Sequence, residues 1–264
     1  MKISVITVTR NSAKTLIDTL RSVALQHHPD VEHIVVDGAS EDNTAEVVRL
    51  HGKHVAHRIC EPDNGTYDAM NKGAALATGG VIAFLNADDW YADPGVLGWV
   101  SERFDGGADL VYGDLAFVSP EPPFKVGRLW RDRQHAAQDF FDHGWHPAHP
   151  TTFIRTELFR SLGGFDTRWR IAADYALLAR AMCQPDLRLA HIERRLVNMR
   201  LGGASTAGIA AVIRANRECA STLTEIGISS PWRVIQQKIM TKCFQKICTT
   251  IRQGDKEGKQ PWRP

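Results

Sequence analysis

The first ninety residues alternate β-branched runs with helical repeats, and the strand-like runs keep ending in carboxylates. Ile3-Ser4-Val5-Ile6-Thr7-Val8 is β-branched and closes at Thr9, Arg10 and Asn11. Leu16, Leu20, Val23 and Ala24 then recur at helical spacing. His33-Ile34-Val35-Val36 is a second strand ending at Asp37-Gly38, and Asp42 is placed to cap a helix through Val47, Val48 and Leu50. A weaker strand spans 55–60, a helix 67–77, and an apolar strand 81–85 that ends in Asn86-Ala87-Asp88-Asp89. A helix near 96–104 and a strand opening at Leu110 follow. Strands alternating with helices predict an α/β fold with a mostly parallel central sheet flanked by helices. Such sheets bind ligands beyond the carboxyl ends of their strands. Asp37, Glu61-Pro62-Asp63 and Asp88-Asp89 all fall at those ends, which lines one sheet edge with acid.

The rest of the chain reads differently. Residues 120–150 are rich in Pro, His, Asp and aromatics and are expected to be irregular. Regular structure resumes at Thr151-Thr152-Phe153-Ile154, and Asp174 heads an apolar helical run through Leu177, Leu178 and Ala181. In the tail, Trp232, Ile235, Ile239, Phe244, Ile247 and Ile251 interleave with Arg233, Lys238, Lys242, Lys246 and Arg252, a basic amphipathic helix suited to an anionic membrane surface or to docking on the core. The expected division is a domain over 1–205 and a helical tail over 206–264.

Composition narrows the classes. A net charge of +2 over 264 residues argues against nucleic-acid binding. Five cysteines without a CxxC pair fit a reducing compartment, and hence a cytoplasmic protein. No apolar run approaches the roughly 18 residues that span a bilayer, so the chain is expected to be soluble or peripheral on the cytoplasmic face of the membrane. Neither GxGxxG nor GxxxxGK[ST] occurs, which removes the dinucleotide fingerprint and the P-loop.

Adjacent carboxylates after a strand suit a hard divalent cation that bridges diphosphate oxygens; Asn and Asp also simply favour turns. Asp37 is placed to accept hydrogen bonds from a ribose or base, with Gly38 allowing close backbone approach. Lys72 offers charge to a phosphate. His146 and His149 have HxxH spacing, but Pro147 between them breaks a helical metal face. His149 is a candidate for the acceptor or diphosphate pocket, as are Gly203 and Ser205 in the Gly202-Gly203-Ala204-Ser205 loop.

In combination the motifs resemble family 2 glycosyltransferases. Val35-Val36-Asp37-Gly38-Ala39-Ser40 is similar to the family's second-strand motif, and Glu61-Pro62-Asp63-Asn64-Gly65-Thr66-Tyr67-Asp68-Ala69-Met70-Asn71-Lys72-Gly73 to its sugar-nucleotide segment. Ala77-Thr78-Gly79-Gly80 with Phe84-Leu85-Asn86-Ala87-Asp88-Asp89 resembles the strand carrying its DxD motif. The likeness continues through His149-Pro150-Thr151-Thr152-Phe153, Gly163-Gly164-Phe165-Asp166 and Ala172-Ala173-Asp174-Tyr175, so it covers about 2–205. One position departs from the pattern: Asn86 stands where DxD begins, and it brings no charge.

The resemblance implies a GT-A fold and an inverting transfer from a nucleotide-sugar, a UDP-sugar foremost. Thr9, Asp37, Asp63, Lys72, Asn86 and Asp88 would bind the donor. Asp88, with Asp89 beside it, would hold Mn²⁺ or Mg²⁺. Asp174 would be the catalytic base, although helix capping alone would also explain it. The acceptor would be a glycan or a lipid-linked sugar, as in bacterial exopolysaccharide, O-antigen or glycolipid synthesis. Two alternatives stand beside this: a sugar-nucleotide-binding protein without turnover, and a nucleotidyltransferase. The latter is disfavoured because Thr9-Arg10-Asn11-Ser12-Ala13 lacks its usual glycines.

Overall fold

The computed structural model describes residues 1–122, 124–202 and 208–252. In chain order the elements are β1 (Ile3–Thr9), α1 (Leu16–Ala24), β2 (Val31–Asp37), α2 (Thr44–His51), β3 (Val55–Cys60), α3 (Thr66–Leu76), β4 (Val81–Phe84), β5 (Trp90–Tyr91), α4 (Val96–Asp105), β6 (Leu110–Val118), β7 (Val126–Trp130), α5 (Asp139–Asp142), β8 (Phe153–Arg155), α6 (Thr156–Ser161), α7 (Ala173–Met182), β9 (Leu189–Arg200), α8 (Ile209–Glu225) and α9 (Pro231–Arg252). A 3-10 turn, His149–Thr151, precedes β8.

Among the described residues one sheet runs β3-β2-β1-β4-β8-β6-β9-β5, with β7 paired to β6. Its first half is parallel: β3 on β2, β2 on β1 and β1 on β4. The second half is mixed. Strand β8 lies antiparallel between β4 and β6, while β6 and β9 are parallel. The 120–150 stretch, expected to be irregular, contributes β7 and the single turn of α5. These short pieces carry too few residues for a period to show in sequence.

Strand β1 is buried at all seven positions, as a central parallel strand must be when both faces are covered. Alternation sends Ile6, Val8, Ile34, Val36, Ile82 and Phe84 to one face, against α3 and α6 to α9. Ile3, Val5, Val81 and Ala83 go to the other face with α4, and Leu16 and Leu20 of α1 pack there on Val35. Gly73 lets α3 close on the sheet, because a Cβ there would lie 2.5 Å from Ile6 Cγ2. The large core extends past residue 205: Cys219, Ala220 and Leu223 of α8 and Val234 and Ile235 of α9 belong to the same cluster as β1. Burying side chains of this size stabilises by about 1.5–3 kcal/mol each, so α8 and the first turns of α9 are part of the globule. Lys238, expected on a basic solvent face, is buried, with its ammonium 4.7 Å over the Tyr175 ring.

Two buried ionisable groups hold the amino-terminal strands together. Burial and the neighbouring His54 push the His33 imidazole down to about 3; it bonds Thr7 and His54. Burial acts to raise Glu32, but hydrogen bonds from Ser4, Thr78 and Lys2 outweigh it and hold the carboxyl at about 2. A histidine whose pKa is lower when folded is bound by a proton sooner in the unfolded chain, so acid destabilises the fold between pH 6.5 and 3. Glu32 adds the same sign between 4.5 and 2. Stability, and with it the melting temperature, is therefore expected to fall as pH drops below 6.5, the free energy of unfolding by up to about 1.4 kcal/mol per pH unit from His33. Calorimetry across pH 4.5–7.5 checks this; a flat profile from 6.5 to 4.5 would contradict it.

Candidate active site

The parallel half of the sheet brings the predicted donor residues to one edge. Thr9 and Asp37 are register partners at the ends of β1 and β2, and Asp37 in turn pairs with Cys60 at the end of β3. Thr9 Oγ1 is buried without a partner among the described residues, a hydroxyl left for a ligand. Asp37 is buried, and its Oδ1 accepts Ser40 N at 3.0 Å and Ser40 Oγ at 2.6 Å. Asp63 Oδ1 accepts Gly65 N at 2.9 Å. The other Asp63 oxygen lies 2.1 Å from where a Cβ on Gly38 would sit, so only glycine at 38 admits that carboxylate. Ala39 follows with φ 58°, the left-handed turn that reverses the chain after β2.

Lys72 is otherwise engaged. Its ammonium is 2.9 Å from both Glu61 Oε1 and Pro62 O, and 3.5 Å from Asp68 Oδ2. It ties down the loop that carries Asp63, and Glu61 and Asp68 balance its charge.

Strand β4 ends at Phe84, and the acidic motif follows. Asp88 is half-buried and Asp89 buried. Burial raises the pKa of Asp88. Burial and then the charge of Asp88 raise Asp89 well above the ordinary carboxylate range. Asn86 hydrogen-bonds Asp89; an aspartate at 86 would instead add a third carboxylate. Asp89 Oδ1 accepts Arg200 N at 3.2 Å, and Oδ2 is buried without a partner among the described residues.

Arg200 escaped sequence reasoning. Its Nε donates to Asp88 O at 2.9 Å, its guanidinium pairs with Asp18, and it lies over the rings of Trp90 and Phe124. The motif is thus braced from behind by a residue 112 positions away. No local period marks such a residue, which closes β9, a strand that also carries Glu193, Arg194 and Arg195.

Asp174 is carried by α7. A capping role, the alternative to the base, would put it at the helix boundary, but α7 begins at Ala173, and Ala172 is the boundary residue. Asp174 sits in the first turn, where a carboxylate is favoured by the helix dipole. Its Oδ1 accepts Tyr175 N at 2.7 Å and Tyr67 Oη at 3.3 Å. Burial lowers the His149 pKa, and Asp174 pulls it the other way. The His149 ring stacks on Phe84 with centroids 5.7 Å apart and meets Phe165 edge-on at 5.5 Å. A chain of contacts therefore runs from Tyr67 to Asp174, then to His149 and to Phe84 at the end of β4, two positions before Asn86. Gly203 and Ser205 lie outside the described residues.

Carboxylates at the ends of parallel strands, where such sheets bind ligands, suit a transferase that works on nucleotide-linked substrates. The family model described as glycosyl transferase family 2 matches residues 4–163. The chain belongs to that family, with a GT-A fold, and is an enzyme that transfers a sugar from a nucleotide-sugar donor. A PGL/p-HBAD biosynthesis glycosyltransferase of Mycobacterium bovis is 33% identical over 194 residues, covering 70% of this chain and 71% of the relative. An uncharacterized glycosyltransferase of Mycobacterium tuberculosis is 32% identical over 196 residues, covering 69% and 70%. The fold resembles S. aureus TarS 1–349 solved in complex with UDP-GlcNAc, with TM-score 0.67, 17% identity, and 90% of this chain and 72% of that one covered. It also resembles a mannosyltransferase from Pyrobaculum calidifontis solved with GDP-Man and Mn²⁺, with TM-score 0.61, 19% identity, and 90% and 68% covered.

Proposed function

We propose an inverting sugar transfer in which Asp174 is the catalytic base. The observation that carries this is the position of Asp174 in the first turn of α7, with Oδ1 held by Tyr67 and Tyr175 N and the carboxylate next to His149. An acceptor hydroxyl is far too weak an acid to ionise at pH 7, so a carboxylate must take its proton as the new bond forms. In a single displacement the acceptor oxygen bonds to the anomeric carbon as the bond to the diphosphate breaks. The electron pair leaves with the nucleoside diphosphate, and the proton goes to Asp174. Thr9, Asp37 and Asp63 hold the nucleoside along the strand ends, with Asn86 beside them. Lys72 serves the donor indirectly, by fixing the Glu61–Asp63 loop. His149, Gly203 and Ser205 are assigned to the acceptor and diphosphate side.

The residues present suit a divalent cation. Asp88 and Asp89 are adjacent, burial raises both pKa values, and Asp89 Oδ2 has no partner among the described residues. No group of three His, Cys, Asp or Glu side chains among the described residues forms a complete cage. That accords with a cation held by one or two carboxylates and otherwise by substrate phosphates. Asp88, backed by Asp89, would hold Mg²⁺ or Mn²⁺, which supplies charge neutralisation for the leaving diphosphate when bound.

The donor class assigned is a UDP-sugar, the kind of donor bound in the TarS complex, and the acceptor a glycan or lipid-linked glycan of the bacterial envelope. The enzyme is placed on the cytoplasmic side, peripheral to the inner membrane. Exposed Trp232, Ile239 and Met240 on α9 support that placement, and no described helix is long and apolar enough to cross a membrane. The test is a thermal-shift panel of UDP-, GDP-, dTDP- and CMP-sugars, each with Mn²⁺, Mg²⁺ or EDTA. A ligand bound only by the folded state at 100 times its Kd adds about 2.7 kcal/mol of stability. UDP-sugars are expected to raise the melting temperature only with metal. A shift with GDP- or dTDP-sugars alone would overturn the donor class, and an equal shift in EDTA would overturn the metal.

A further inference from the structure

We propose that Glu218, on α8, is a positioning residue for Asp174. The inference rests on the base reading above; both Asp174 and Glu218 lie beyond the matched family span of 4–163. The amino end of α7 has no side-chain cap of its own, since its boundary residue is Ala172. The first N–H groups of a helix and of the turn leading into it need acceptors. Glu218 provides them from another helix: Oε2 accepts Ile171 N and Ala172 N, each at 2.9 Å, and Oε1 accepts Arg170 N at 3.3 Å.

The same short segment is gripped from the other side. Tyr67 Oη donates to Ile171 O at 2.7 Å and reaches Asp174 Oδ1 at 3.3 Å. Residue 171 is thus bonded through its N–H to Glu218 and through its carbonyl to Tyr67, three residues ahead of the base. Two further contacts hold α8 and α9 against this segment. Arg168 pairs with Glu225 at 3.0 Å, and Lys238 of α9 lies 4.7 Å over the Tyr175 ring while bonding Asn216 at 3.3 Å. The backbone that aims Asp174 is therefore set by a carboxylate 44 residues later, and α8 acts as the back wall of the active site. Tyr67 couples that setting to the donor loop, because it follows Gly65 and Asp63 directly.

A carboxylate bonded to three N–H groups is best perturbed isosterically. Glu218→Gln keeps the volume and one oxygen for Ile171 N and Ala172 N, but removes the charge and turns an amide donor toward Arg170 N. Its kcat is expected to fall by about 10- to 100-fold, as a base displaced by a fraction of an ångström would give, with donor KM and donor-induced thermal shift unchanged. Tyr67→Phe, which leaves α8 untouched, is expected to lower kcat with the same signature. Introduced into Asp174→Asn, Glu218→Gln is expected to cost nothing further, because there is no base left to aim. Single-turnover transfer with purified full-length protein measures each. Normal kcat in Glu218→Gln alongside an inactive Asp174→Asn would overturn the positioning role and leave the base reading standing. Normal turnover in Asp174→Asn would overturn the base reading itself. A rise in donor KM together with an undiminished loss in the Asp174→Asn background would mean Glu218 acts on the fold at large, and would also overturn the proposal.

Discussion

Asp174→Asn is expected to lower kcat by on the order of 10²–10⁴-fold while leaving donor affinity nearly intact, the range a positioned general base contributes. The substitution is nearly isosteric. The asparagine oxygen still accepts the hydrogen bonds now made by Tyr175 N and Tyr67 Oη to Oδ1, so α7 starts where it did. What is lost is the basic lone pair that takes the acceptor's proton. The residues proposed to bind the donor, Thr9, Asp37, Asp63 and Asp88, are not among the hydrogen-bond partners of Asp174, which are Tyr175 N and Tyr67. The measurement is transfer to acceptor over a donor titration, with a thermal shift to confirm folding and binding. Turnover at the unmodified rate would remove Asp174 from the chemistry.

Asp88→Ala is expected to weaken metal-supported donor binding by at least about tenfold, equivalent to about 1.4 kcal/mol, and to make binding insensitive to EDTA. The sign of its effect on the fold separates a ligand role from a structural one. Burial raises the Asp88 pKa, so the ionised group is less welcome in the folded chain than in the unfolded one. Its contribution is full below the unfolded pKa and is lost as pH rises through the folded value. At pH 7 the charge therefore costs stability. It also burdens Asp89, whose pKa the Asp88 charge helps to raise. The ligand-free Asp88→Ala protein should melt at or above the unmodified protein at pH 7, while losing its metal-dependent shift. A variant that melts lower yet titrates donor equally with Mn²⁺ and with EDTA would place Asp88 in the fold and outside the cation site.

Much of the donor half was legible because its chemistry is local. The strand ends at Asp37 and Asp88 could be read from β-branched runs that stop at polar residues, and parallel pairing then carries Thr9, Asp37 and Cys60 to a common edge. The readings that needed amendment share a cause. Lys72 reads as a free cation in sequence, but Glu61 and Asp68 flank it in space. For Asp174 the alternative to the base was a cap, and it lies one residue inside a helix whose boundary N–H is accepted by Glu218. Lys238 reads as part of a basic face and is buried over Tyr175. In each case a charged side chain chose a partner that sequence spacing does not reveal.

The amino-acid order by itself determined the βα alternation, the acid at the ends of β2 and β4, and the family, because these follow from periodicity and from short contiguous motifs. Only the tertiary structure decided the mixed half of the sheet, the bracing of Asp88 and Asp89 by Arg200, and the dependence of the Asp174 segment on α8. Those depend on pairings between residues far apart in the chain, up to 112 positions for Arg200 and Asp88. Such pairings form when buried N–H groups and charges need partners that their own segments cannot supply.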